Sequence, residues 1–173
     1  MAKRPQFILD AAPLIALASA GALDRVLPLD ARFLVVEEVR DEVVGGEERE
    51  KRAESIAVED RLREGRIEVA RVGNERLLRR VRTNARLSRA DSASLCLALE
   101  RGGRLVADDR DLRSAARSLG AEVGGSLLLL TRAVEEQRMT GGEAVATVER
   151  MIDHGWYCSP TLLKSFADAM ARR

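Results

Sequence analysis

A chain of 173 residues, 46% hydrophobic and 33% charged with a formal net charge of +1, is long enough to bury the core of one ordinary domain without disulfide or metal staples. It holds no apolar run of the roughly 18 residues a membrane span needs, and its charge excludes a global field that draws in nucleic acid. Cys96, Cys158 and the single histidine, His154, follow no metal-ligand spacing, and no G-x-S-x-G nucleophile elbow is present, so any catalysis falls to carboxylates.

In chain order, "FIL" (Phe7 to Leu9) reads as a strand that ends on Asp10 and runs into the Ala-rich helical pattern "PLIALASAGALDRVL" (13–27). Asp10 and Pro13 argue against a signal peptide here, and the expected location is cytoplasmic. "RFLVV" (32–36) is the second strand. "EEVRDEVV" (37–44) is a helix whose Val39 and Val43 mark the buried side beside Val36; Glu38 and Glu42 share a face at i, i+4, and Asp41 neighbours Glu38 at i+3. "EEREKRAESIAVEDRLREG" (47–65) is a charged helix with Ile56, Ala57 and Leu62 as its narrow apolar face and Gly65 as its stop. "IEVARV" (67–72) is the third strand.

From Arg71 to Arg89 seven arginines stand against one acid, Glu75. Placed on a helix, Leu77, Leu78, Val81 and Ala85 take one side, and Arg79, Arg82, Arg86 and Arg89 the other. "LSRADSASLCLALERGG" (87–103) is a helix with Ser88 as N-cap, Asp91 three places on and a Gly pair as the stop. "RLVADD" (104–109) is the fourth strand, with Asp108 and Asp109 at its end and Asp111 in the next helical turn. "AEVGG" (121–125) is the fifth. The remainder is helical, and Ser159 and Pro160 open the last helix.

Short apolar strands alternating with helices predict a three-layer α/β/α domain with a mostly parallel sheet, its first strand central and the fourth beside it. One domain is expected over residues 1–173, with a core at about 6–125 and a helical C-terminal extension at about 126–173. Ligands of such sheets bind beyond the carboxyl ends of the strands, and there Asp10, Asp108 and Asp109 fall, with Asp91 and the acids of "EEVRDEVV" close by. Each has a local explanation: Asp10 and the Asp108 to Asp111 group could cap helices, and Asp91 fits a capping box. Three acids within four residues nevertheless repel one another unless a cation is near, and hard ions such as Mg²⁺ or Mn²⁺ suit an all-oxygen set. Such ions serve phosphodiester hydrolysis.

"FILDAAPLIALASAG", "VVEEVRDEVV" and "LSRADSASLCLALERGGRLVADDRDLRSAARSLG", in that order and spacing, resemble the PIN-domain ribonucleases, and the closing helices resemble the tail of a bacterial and archaeal subgroup. The resemblance implies catalytic Asp10, Glu42, Asp91 and Asp109 and a site for Mg²⁺ or Mn²⁺ on Asp10, Asp91 and Asp109, with Asp108 competing for the place of Asp109. It also implies RNA as substrate, the role of toxin in a type II toxin-antitoxin pair with a small protein antitoxin, and a homodimer. Arg79, Arg82 and Arg86 are the expected RNA contacts. Two features depart from the family pattern: Ala11 and Ala12 follow Asp10 where a hydroxyl or Asn is common, and Ala107 stands where a threonine is. Loss of side chains that orient ligands can cost about 10- to 100-fold in affinity or activity, so the alternative reading is a catalytically weak PIN-like scaffold that binds RNA or a protein partner.

Overall fold

The structure, a computed structural model, describes residues 4–45 and 52–173. Among these, five strands form one sheet: β1 (Gln6–Leu9), β2 (Arg32–Val36), β3 (Glu68–Ala70), β4 (Arg104–Val106) and β5 (Val123–Gly124). Every pair is parallel, and the order is β3-β2-β1-β4-β5. The three inner strands carry Ile8, Leu9, Phe33, Leu34, Val35, Leu105 and Val106, none more than 2% exposed. A sheet covered on both faces requires such strands. The edge strand β3 can leave Val69 open to solvent.

Helices fill every crossover. α1 (Ala11–Ser19) and α2 (Leu23–Val26) join β1 to β2; α3 (Glu37–Val44) and α4 (Ala53–Arg63) join β2 to β3. α5 (Glu75–Val81) and α6 (Arg89–Arg101) lead to β4, and α7 (Arg110–Ser118) leads to β5. Right-handed crossovers that step in opposite directions lie on opposite faces. Accordingly α1 lies against α4, while α6 lies against α5, α7 and the three inner strands. The last helices, α8 (Ser126–Glu135), α9 (Gly141–Asp153) and α10 (Pro160–Met170), return to the first layer, where α8 meets α1 and α2, and α9 meets α1. α3 starts at the carboxyl end of β2 and touches α1, α4 and α6, so it lies between the two layers. No helix among the described residues is long and apolar enough to cross a membrane.

The helix ends follow the chemistry of their residues. Ser88 with Asp91, and Thr140 with Glu143, form complete capping boxes. Gly102 ends α6 at φ 60°, a left-handed position that glycine alone adopts freely. Gly21 does the same at φ +67° and splits the helical pattern expected over 13–27 into α1 and α2. Two other expectations change. The basic helix stops at Val81, so Ala85 and Arg86 lie in a turn and Arg89 begins the next helix. On α4 the fully buried residue is Val58, while Ile56 is 42% exposed. The start expected for that helix, at 47, lies partly outside the described residues.

Gly103 closes the turn into β4 against β1. A Cβ there would stand 2.4 Å from Ile8 Cδ1 and 3.1 Å from the Gln6 carbonyl oxygen. Gly103→Ala is expected to destabilise the protein by about 1–3 kcal/mol through overpacking, read as a lowered urea midpoint with an unchanged slope.

Candidate active site

The chain runs outward from β1 to β3 and then restarts on the other side of β1, so β1 and β4 flank the topological switch point where parallel sheets open a crevice. Asp10 follows β1 at that point. Its amide donates to the Val106 carbonyl at 3.0 Å, which extends the β1–β4 ladder by one bond and fixes the backbone. Asp10 occupies the N-cap position of α1, yet its carboxylate makes no capping hydrogen bond. It is 5% exposed. Burial, reinforced by the negative charge of Asp91 and then of Glu42 and Asp108, raises its pKa from 3.8 to about 7, against the pull of the Ala11 amide.

The four acids reach this point from four elements. On α3, Glu37 pairs with Arg71 at 2.9 Å, Glu38 with Arg82 at 3.1 Å and Asp41 with Arg40 at 2.6 Å. Glu42 is the acid of α3 that has no cation among the described residues. Asp91 sits at the third position of α6, where its Oδ2 accepts from the Ser88 amide at 2.7 Å. Crossover helices run antiparallel to the strands, which brings this N-terminus to the carboxyl end of the sheet.

Asp108 and Asp109 part company. Asp108 Oδ1 accepts from the Ser126 amide at 2.8 Å, and Oδ2 accepts from the Ser126 hydroxyl at 2.6 Å and from Trp156 Nε1 at 2.8 Å. Gly125 leaves room for this: a Cβ there would lie 2.8 Å from Asp108 Oδ1. Asp109 is exposed; its Oδ1 accepts from the Leu112 amide at 2.8 Å as the N-cap of α7. Asp91, Glu42 and Asp108 are thus near enough to Asp10 for their charges to act on it, while Asp109 serves as the helix cap of α7. Among the described residues no three carboxylate, imidazole or thiol groups stand close enough to enclose an ion.

A family model for the PIN domain matches residues 6–171. The chain belongs to the PIN-domain family. PIN domains are generally nucleases, so this fold is a nuclease fold. No curated protein matches the chain.

In this PIN domain the other expected residues fall as follows. Arg79 pairs with Glu75 at 3.4 Å, Arg82 with Glu38, and Arg86 approaches Asp111 at 3.8 Å. Ala12 is exposed, whereas Ala107 is fully buried. Burial pushes the Cys96 thiol up to about 11, and His154 Nδ1 lies 2.7 Å from the Arg150 carbonyl oxygen, so neither has the setting of a nucleophile and its base. Ser126 and Trp156 were not foreseen. They meet Asp108 across 18 and 48 residues of chain, a separation no local spacing reveals.

Two outcomes follow from this geometry. Because the folded pKa of Asp10 lies above its ordinary 3.8, the folded chain keeps a proton that the unfolded chain releases; stability falls as the pH rises from about 4 to about 7, and above that the full cost of about 4 kcal/mol is present. In EDTA, Asp10→Asn is therefore expected to melt well above the wild type near pH 8 and level with it near pH 4; an equal difference at both would refute the assignment. Trp156→Phe keeps an aromatic ring but removes the donor to Asp108, and it is expected to lower stability by about 1–2 kcal/mol in chemical denaturation.

Proposed function

We propose that the protein is a divalent-metal-dependent endoribonuclease in which Asp10, Glu42, Asp91 and Asp108 form the acidic site. The observation that carries this reading is the Asp10 carboxylate, its pKa pushed up to about 7 by its burial and then by the negative charge of Asp91, Glu42 and Asp108. A cation relieves that conflict more completely than a proton does. The all-oxygen donor set fits Mg²⁺ or Mn²⁺ rather than zinc. Dispersed acids suit Mg²⁺ in particular, which keeps several waters and takes only one or two carboxylates along with substrate phosphate. When bound, such an ion polarises the phosphoryl oxygen and lowers the pKa of water.

The chain's own residues do the rest. Asp10 and Asp91 would hold the ion from the two fixed seams, β1 to α1 and the first turn of α6. Asp108, clamped by Ser126 and Trp156, would face it from β4 with its charge oriented. Glu42, without a cation partner among the described residues, would accept a proton from the attacking water. Arg79, Arg82 and Arg86 are proposed to meet phosphates beside this site, each exchanging a carboxylate for the RNA backbone.

As a biological role we propose the toxin of a type II toxin-antitoxin pair: one cytoplasmic domain over residues 1–173, neutralised by a small protein antitoxin. Exposed Tyr157 and Leu162, beside and within α10, support a homodimer through the helical tail. The second reading, a catalytically weak scaffold that binds RNA or protein, is favoured by one feature. Ala12 and Ala107 supply no hydroxyl to orient an acid.

The deciding experiment incubates purified protein and single-stranded RNA with Mn²⁺ or Mg²⁺, beside EDTA and Asp91→Asn. The Asn oxygen can still accept from the Ser88 amide, so the helix cap survives. Cleavage is expected only with the ion and the wild-type acid, and the variant is expected to lose about 100-fold or more, since several kcal/mol of charge stabilisation depart with the ion. Cleavage that persists in EDTA refutes the metal mechanism, and absence of both cleavage and calorimetric metal binding supports the scaffold.

A further inference from the structure

A groove beside the acids lies between α5, the turn at 82–87 and α7, with a volume of about 480 Å³, within the range of sites that enclose a small ligand. Its α7 wall consists of Asp111, Ser114, Ala115, Ser118 and Leu119, one helical face at i, i+3, i+4, i+7 and i+8. Asp111 stands two residues past Asp109 at the carboxyl end of β4, and the opposite wall ends at Leu87, next to the Ser88 cap of α6. The groove thus leads away from the acid site and shares no residue with it.

Three kinds of chemistry line it. Leu77, Val81 and Leu87 face Ala115 and Leu119 as apolar walls. Asn84, Ser114 and Ser118 offer donors and acceptors. Arg80 has no ion pair among the described residues, and Arg86 has only Asp111, at 3.8 Å. Such a slot has the size and chemistry for one nucleotide: guanidinium planes can stack a splayed base, the amide and hydroxyls can bond its edge, and arginine can meet phosphate. A protein segment fits it less well. Leu119 is the one large apolar side chain of the groove that stays exposed among the described residues, far less than a stable protein interface buries.

We propose that this groove is a nucleotide subsite, holding one unstacked base of single-stranded RNA beside the bond to be cut, with Arg80 and Arg86 on the adjoining phosphates. The assignment rests on the ribonuclease reading above and deepens it. It gives Arg80 a role that the basic pattern of the sequence did not single out, whereas Arg79 and Arg82 lie outside the groove, held by Glu75 and Glu38.

The test is fluorescence anisotropy of a labelled single-stranded oligoribonucleotide in EDTA, so that binding is read without cleavage. Ser114→Leu fills the groove from an exposed helical position and leaves the charge alone; it is expected to weaken binding about fivefold or more, the worth of one seated base, with an unchanged salt slope. Arg80→Ala is expected to weaken binding and to lower the slope of log affinity against log salt by about 0.7. Lys164→Ala on α10 is the remote control, and circular dichroism checks each fold. An abasic strand is expected to bind more weakly and to ignore Ser114→Leu. If Ser114→Leu binds both strands as the wild type does, the subsite is overturned, even where Arg80→Ala weakens binding as a surface charge, and the groove is left to a protein partner. RNA cleavage by that same variant at the wild-type rate would keep the nuclease reading while removing the subsite. A wild type that neither binds nor cuts RNA overturns both.

Discussion

A carboxylate at the end of the central strand, almost wholly withdrawn from water, is the constraint around which this fold is arranged. Asp10 cannot be moved outward, because its amide completes the ladder between β1 and β4 and its carbonyl accepts the first turn of α1. It cannot be satisfied as a helix cap, because no capping bond forms. The neighbours the fold supplies are acids rather than cations, and this raises the cost. In a protein selected for stability alone an asparagine would serve better; an uncompensated charge retained at a switch point is the mark of a site where stability has been exchanged for chemistry. The family's general activity as nucleases gives that exchange its purpose.

The helical tail takes part in the same arrangement. Ser126 begins α8, and Trp156 lies in the connection between α9 and α10; both donate to Asp108. Their three hydrogen bonds fix the carboxylate's rotation. The direction in which an acid of the active site points therefore depends on how α8 to α10 pack on α1 and α2. The tail supports the candidate site as well as covering the first layer, and the acid-bearing end of the sheet and the docking of the last helices are mechanically one unit.

Much of this was legible from residues alone because it rests on local rules. Buried parallel strands must be apolar on both faces, so the five strands stand out; Ser88 with Asp91 and the Gly pair mark α6 through backbone chemistry within a few residues. The acids were legible for a related reason: a charge that ends an apolar strand has nowhere neutral to go. What was hidden is what depends on distance. Asp108 and Asp109 are adjacent, and only the chain's turn into α7 decides that one is bound by Ser126 and Trp156 while the other caps the helix. The basic helix is shorter than its arginine periodicity predicts, because that periodicity continues through a stretch where Asn84 and the Ser88 cap restart the chain. On α4, Ile56 and Val58 are both plausible core residues until α1 is laid against that helix, and then Val58 alone is buried. Ser126 and Trp156 carry no local sign of their role.

Near-neutral net charge conceals how the ionic groups are distributed. Arginines take up three acids of α3, namely Glu37, Glu38 and Asp41, and leave Glu42 to join Asp10, Asp91 and Asp108. The basic segment shows the complement: Arg71, Arg79 and Arg82 are each held by a carboxylate, while Arg76, Arg80 and Arg89 have no ion pair among the described residues. In these two segments pairing therefore leaves charge of both signs uncancelled, acids at the switch point and arginines on the flank beside it. In the proposed nuclease a cation drawn to the first and a polyanion drawn to the second would meet at their boundary. A phosphate backbone held by the flank would thereby reach the acids, and neither group alone could do this. At higher salt the exposed arginines lose their hold sooner than the buried acid does, because screening acts on charges in water and far less on charges withdrawn from it.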